Sequence, residues 1–139
     1  MKTACQKVAA RLADVALRNG AGTWQVESLS SSIKDEEPWL ARNWAPGMLM
    51  DAVRWQAKQV GANLVFVDPA YTSQRCAKCG HIASENRPKG KKGQAVFQCV
   101  VCGNKDNADK NAARNLSMVG IEDLIQKTLA PNGAARQVA

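Results

Sequence analysis

A chain of 139 residues with 45% hydrophobic content has room for one ordinary core, or for a small core with a metal-stapled appendage, and is not a disordered chain. Charges interrupt the opening MKTACQKVAARLADVALRNG every few positions, and no stretch nears the roughly 18 apolar residues of a spanning helix. This excludes signal-peptide and membrane-spanning classes and implies a soluble protein of a reducing, cytoplasmic compartment, with a formal charge of +7 to be explained.

In chain order, positions 3–18 bring Cys5, Val8, Leu12, Val15 and Ala16 to helical spacing before Asn19 and Gly20. An amphipathic helix is expected there, with Cys5 a small core residue. TWQVE, at 23–27, alternates strand formers and ends on Glu27. The next stretch, 28–47, is Ser-rich, polar and broken by two prolines, so it reads as a loop with at most a turn of helix. From Met48 to Val60 the stripe Leu49, Ala52, Val53, Gln56 and Val60 marks a second helix, closed by Gly61. NLVFVDP then has the continuous apolar pattern of a strand covered on both faces. Strand, helix and strand form a βαβ unit, so the two strands are expected to run parallel. Glu27 and Asp68 lie at their carboxyl ends, where ligand chemistry collects in such sheets. Trp39, Trp44 and Trp55 fit packing better than base stacking. The end of the chain, 129–139, reads as a frayed tail.

Cys76-x-x-Cys79 and Cys99-x-x-Cys102 are nineteen residues apart, and each pair is followed by a glycine, Gly80 or Gly103. The glycines permit the tight turn that aims two thiolates at one ion. Four thiolates suit tetrahedral zinc and close the shell, leaving no position for a catalytic water, so a structural zinc ribbon is expected. A redox pair is the competing reading, but two pairs at ribbon spacing favour the metal. His81 adjoins a shell already full and is read as a surface residue.

Charge gathers on the same segment. Between positions 75 and 114 lie Arg75, Lys78, Arg87, Lys89, Lys91, Lys92, Lys105, Lys110 and Arg114 against Glu85, Asp106 and Asp109, giving +6 of the total +7. That field suits a phosphate backbone. RPKGKKG, at 87–93, forms a basic tip between the knuckles, while Lys110 and Arg114, one helical turn apart, extend the same face. After Gly103, NKDNADKNAARNL begins with capping residues and should start a helix near Asp106 to Asp109. Its early acids also fit plain stabilisation of a helix dipole.

YTSQRCAKCG, ENR, FQCVVCGN and NADKNAARNL together resemble the carboxyl-terminal part of the TnpB proteins encoded by transposons and of the related miniature type V CRISPR nucleases. WQVESL resembles that family's second RuvC motif, a strand ending in a catalytic glutamate. The resemblance implies a partial RNase H-like (RuvC) α/β fold with an inserted four-cysteine zinc ribbon. Its RuvC-like segment would span 1–70, the ribbon 71–104 and the returning RuvC-like helices 105–128. Glu27 and Asp109 match the second and third catalytic carboxylates, ligands for Mg²⁺ or Mn²⁺, and Cys76, Cys79, Cys99 and Cys102 match the zinc ligands. Asp106 precedes the catalytic place.

The implied partners are single-stranded or unwound target DNA, bound through Arg75, Lys78, Arg87, Lys89, Lys91, Lys92, Lys110 and Arg114, and a guide RNA held by other parts of such a protein. The implied setting is a bacterial or archaeal cytoplasm. No acid here stands in the context of the family's first RuvC aspartate: Asp14 lies in a helix and Asp68 follows a later strand. The chain is therefore expected to be the last third of an RNA-guided DNA endonuclease, inactive alone and completed by another chain or a second copy. The alternatives are a non-catalytic zinc-ribbon nucleic-acid-binding module from a truncated transposon-related gene, and an interaction subunit docking a protein on its exposed sheet edge.

Overall fold

The computed structural model describes residues 2–28, 46–88 and 95–130. Compact packing divides the chain into two units, Met1–Phe66 and Val67–Ala139. Among the described residues, no helix is long and apolar enough to cross a membrane.

In the first unit, helix α1 (Lys2–Arg18) leads to strand β1 (Thr23–Glu27), and helix α2 (Pro46–Val60) to strand β2 (Asn63–Val67). The two strands are hydrogen-bonded neighbours in one sheet. Both helices end the same way. Gly20 and Gly61 take φ of +64° and +68°, and the following amides reach back five residues, Ala21 N–H to the Ala16 carbonyl and Ala62 N–H to the Ala57 carbonyl, each at 2.9 Å. This glycine-terminated hydrogen-bond pattern stops each helix and turns the chain toward its strand. The Asn63 N–H then donates to the Gly22 carbonyl at 2.8 Å, drawing the two strand entries together. Helix α2 begins two residues before the expected Met48, because Pro46 is favourable in a first helical turn, where its missing N–H costs nothing.

The helices pack through alanines. Ala9, Ala13 and Ala16 of α1 form a buried cluster with Trp24, Val53 and Ala57. The expected stripe was partly wrong: Val8, Leu12 and Val15 are 54%, 41% and 57% exposed. Cys5, Ala9, Ala13 and Ala16 satisfy helical spacing equally well, and their small side chains let the helix axes approach closely. Trp55, expected to pack, is 58% exposed, while Trp24 is buried with its indole N–H on the Ala21 carbonyl at 3.1 Å. Strand β2 is covered less evenly than its apolar run suggests, since Phe66 is 40% exposed and has the Arg54 guanidinium 4.8 Å above its ring. Trp39, Trp44 and the tail 131–139 lie outside the described residues.

The second unit contains a hairpin that the sequence reading did not anticipate. Strands β3 (Val96–Gln98) and β4 (Lys105–Asn107) pair antiparallel, with Phe97 opposite Asp106. They flank the second cysteine pair. Helix α3 (Ala108–Leu116) follows β4 without a break, and α4 (Ile121–Leu129) completes the unit, with Ile121 and Ile125 buried. The Asp68 N–H donates to Glu122 Oε1 at 2.6 Å, so α4 is fastened to the segment leaving β2.

Candidate metal centre and nucleic-acid interface

The two cysteine pairs fold into matching turns. In the first, the Gly80 N–H returns to the Cys76 carbonyl at 2.8 Å, and the Cys76 N–H donates to the His81 carbonyl at 2.8 Å. In the second, the Gly103 N–H returns to the Cys99 carbonyl at 3.0 Å, and the Cys99 N–H donates to the Asn104 carbonyl at 2.9 Å. Gly80 has a second reason to be glycine besides its φ of +82°: a Cβ there would lie 3.2 Å from Arg75 Nη2.

These turns bring all four sulfurs within 4.8 Å of one another. Across the pairs, Cys76 Sγ is 3.7 Å from Cys102 Sγ and Cys79 Sγ is 3.6 Å from Cys99 Sγ. Sulfurs placed about 2.3 Å from a tetrahedral zinc are about 3.8 Å apart, so the donor set fits that ion in number, chemistry and spacing. Cys76 and Cys99 are buried, together with Phe97 and Ala108, while Cys79 and Cys102 are exposed. Asn86, also fully buried, braces one turn against the other. Its amide donates to the carbonyls of Gln74 at 2.8 Å and His81 at 3.3 Å, and its oxygen accepts the Val100 N–H at 2.9 Å.

Desolvation of its sulfur, which faces the cluster although the residue as a whole is exposed, pushes the Cys79 thiol up to about 12, and burial raises Cys76 as well, whereas the Asn104 backbone N–H brings the exposed Cys102 down to about 7. Thiols with raised pKa hold their protons at neutral pH, and a metal must displace them. Loss of at least these two protons makes affinity vary with at least the inverse square of proton activity. Apparent Co²⁺ affinity is therefore expected to fall by about a hundredfold or more for each pH unit of acidification, read from the thiolate-to-metal charge-transfer band in titrations at neutral and mildly acidic pH.

Helix α3 begins where expected. Asn107 caps it, its side-chain oxygen accepting the N–H groups of Asp109 at 3.0 Å and Lys110 at 3.1 Å. Asp109, second in the helix, is exposed at the positive end of its dipole. Asp106 is instead bound up locally: one oxygen accepts the Asn107 N–H at 2.8 Å, and the other pairs with Arg114. Glu27, the last residue of β1, is half-buried in the first unit. Asp68, exposed, accepts the Ala70 N–H on its side chain at 2.8 Å.

The basic residues divide. Lys78 and Lys110 are exposed, Arg87 is half-buried, and Arg114 is exposed while paired with Asp106. Lys89, Lys91 and Lys92 lie outside the described residues. Arg75 is a correction: it is 8% exposed, with Nη1 donating to Asn115 Oδ1 at 2.8 Å, and so leaves the set of surface cations. His81, expected on the surface, is half-buried and contributes its carbonyl to the first turn.

Asn86, Asn111 and Asn115, each fully buried, were missed as site residues by the sequence reading. The available signal was Asn111 and Asn115 four apart within ADKNAARNL, a spacing that puts two amides on one face of a helix.

The chain is thus a mixed α/β protein with a cluster of four cysteines that could hold a metal ion. Residues 47–116 match the family described as Cas12f1-like, TNB domain, and the chain belongs to that family. It is 39% identical over 118 residues to the CRISPR-associated endodeoxyribonuclease Cas12f1 of Sulfoacidibacillus thermotolerans, a match covering 85% of this chain and 27% of the relative. It is 53% identical over 60 residues to the putative RNA-guided DNA endonuclease InsQ of Escherichia coli K12, covering 43% of this chain and 14% of that protein. Among solved structures, a chain in a cryo-EM structure of a Cas12f1–sgRNA–target DNA complex superposes with a TM-score of 0.68 at 33% identity, covering 84% of this chain and 33% of that one. The chain therefore spans a third or less of the length of each of these relatives.

Proposed function

We propose that this chain is the carboxyl-terminal, DNA-binding segment of an RNA-guided, metal-dependent DNA endonuclease, with a partial RNase H-like (RuvC) fold. The observation that supports this best is the continuity of the cysteine module with the capped helix. The chain leaves Cys102, forms β4 and presents Asp109 at the start of α3, so one short segment joins a metal-stapled turn to an exposed carboxylate. The relatives named as RNA-guided DNA endonucleases and the superposition on a guide RNA and target DNA complex support the same reading.

In this reading residues 1–70 and 105–128 are RuvC-like, and 71–104 form the ribbon, in which Cys76, Cys79, Cys99 and Cys102 hold structural zinc. Glu27 and Asp109 supply two of three hard carboxylates for Mg²⁺ or Mn²⁺, which when bound assists phosphodiester hydrolysis by activating water and stabilising the leaving oxygen. The third carboxylate comes from another part of the assembly, as does the guide-binding surface. Lys78, Arg87, Lys110 and Arg114 contact the phosphates of single-stranded or unwound DNA, with Lys89, Lys91 and Lys92 extending that surface.

The test uses zinc-loaded protein and labelled single-stranded DNA. The chain alone should bind in a salt-sensitive manner and leave the strand intact. Addition of a polypeptide bearing the aspartate strand should yield Mg²⁺-dependent cutting, which Glu27→Gln and Asp109→Asn each reduce by roughly a thousandfold or more while binding is kept. Cutting that survives both substitutions would remove these carboxylates from the mechanism. Salt-insensitive binding, or none, would remove the nucleic-acid reading.

A further inference from the structure

We propose that Arg75, Asn111 and Asn115 are positioning residues that make the placement of Asp109 depend on metal occupancy of the cysteine turns. The inference rests on the reading of Asp109 and of the four cysteines given above. Asn111 follows Asp109 by two residues, and Asn115 lies one turn further on; both are 0% exposed. A helix of this length has no need of either amide for its own backbone. Their bonds go instead to the first cysteine turn and the segment leading into it.

Asn111 Oδ1 accepts the Ala77 N–H at 3.0 Å, and Ala77 stands between the two cysteines of that turn. Asn111 Nδ2 donates to the Arg75 carbonyl at 2.8 Å. Asn115 Nδ2 donates to the carbonyls of Thr72 at 2.9 Å and Arg75 at 2.7 Å, while its oxygen takes the Arg75 guanidinium. Arg75 closes the circuit: its Nη2 lies over Gly80, and its Nε is buried without a hydrogen-bond partner. A zinc ion with four thiolates carries a net charge of about −2, and the buried Arg75 guanidinium beside the first turn offsets part of it.

Every polar group in this clamp is set by the conformation of residues 72–80. Without an ion the four sulfurs that meet there, within 4.8 Å of one another, have only weak thiol contacts between them, far short of the four metal–sulfur bonds that would tie the two turns together. When the turn loosens, the Ala77 N–H and the Thr72 and Arg75 carbonyls move, and the two buried amides of α3 lose their partners together. A half-satisfied buried network is worse than none, so α3 leaves with it and takes Asp109 along. The coupling follows a contiguous path of named bonds from the metal site to the carboxylate.

Amide hydrogen exchange on the full 139-residue chain tests this, with Co²⁺ absorbance reporting the metal site in the same samples. Removing metal from the wild type should lower the protection of the Asp109 to Leu116 amides by about tenfold or more. Asn111→Asp keeps the acceptor for Ala77 and loses the donor to Arg75; Asn115→Asp keeps the acceptor for Arg75 and loses both donors. Each variant should still give the four-thiolate Co²⁺ spectrum, yet show low α3 protection with or without metal. By linkage the uncoupled variants should bind Co²⁺ more weakly by no more than about the factor by which metal protects α3, whereas a merely structural role would lower hairpin protection along with α3 even when Co²⁺ is saturating. That outcome overturns the proposal, as does α3 protection indifferent to metal in the wild type while Co²⁺ is bound. Absence of any thiolate-to-cobalt band overturns the zinc reading itself and the coupling with it.

Discussion

Cys76→Ser is expected to abolish tight Zn²⁺ binding and to unfold the cysteine turns while the helical pair of the first unit persists. Cys76 is 0% exposed and sits with Phe97, Cys99 and Ala108. The substitution leaves three sulfur donors and a buried hydroxyl whose oxygen is a poor substitute for a thiolate. Small zinc modules draw on the order of 10 kcal/mol of folding free energy from the ion, more than a hairpin of two three-residue strands can replace by packing. Heteronuclear NMR of Zn²⁺-saturated protein checks this: the β3 and β4 amides should collapse into the random-coil region, while those of α1 and α2 keep their dispersion. The cluster of Ala9, Ala13, Ala16, Trp24, Val53 and Ala57 contains no residue of the cysteine module. Retention of β3 and β4 dispersion in the variant would show that the module is held by its side-chain core and not by an ion.

Phe97→Ala is the second large effect, and it separates core packing from metal ligation. Phe97 is 0% exposed and is the one large apolar side chain in the cluster beneath the sulfurs. Truncation of a buried phenylalanine costs about 3–5 kcal/mol, while Phe97→Leu, closer in volume, should cost less than about 1.5 kcal/mol. Urea unfolding at saturating Zn²⁺ measures both. Equal losses for the two substitutions would place the ring outside the packed interior.

The cysteine spacing was legible because metal geometry is local: a Cys-x-x-Cys-Gly turn needs few residues to specify it. The bounds of β1 and β2 were legible for a similar reason, with turn residues before each and a sharp change of composition after. What escaped depends on contacts distant in sequence. Helical spacing in α1 admitted two apolar rows, and only the partner helix decided that Ala9 and Ala13 face inward. A charge count treats Arg75 and Lys78 alike, although one is buried on Asn115 and the other is exposed. Strands β3 and β4 are three residues each, too short for alternation to register. The buried asparagines were the hardest, since a polar residue becomes an interior residue only when its hydrogen-bond partners, here up to 43 positions away, are known.

The unequal reach of the two cysteine turns sets an order of assembly. The second turn is enclosed by a hairpin whose paired residues are at most eleven positions apart, Val96 with Asn107. Such local closure takes microseconds in isolated hairpins. The first turn reaches its bracing partners across longer loops, Gln74 to Asn86 and Asn86 on to Val100. Cys99 and Cys102 are therefore the pair brought together over the shorter stretches of chain, although a hairpin this small needs the ion to persist. On the ribosome the cysteine pair synthesised first must therefore wait, without its partners in the metal shell, until the hairpin that carries the second pair has emerged.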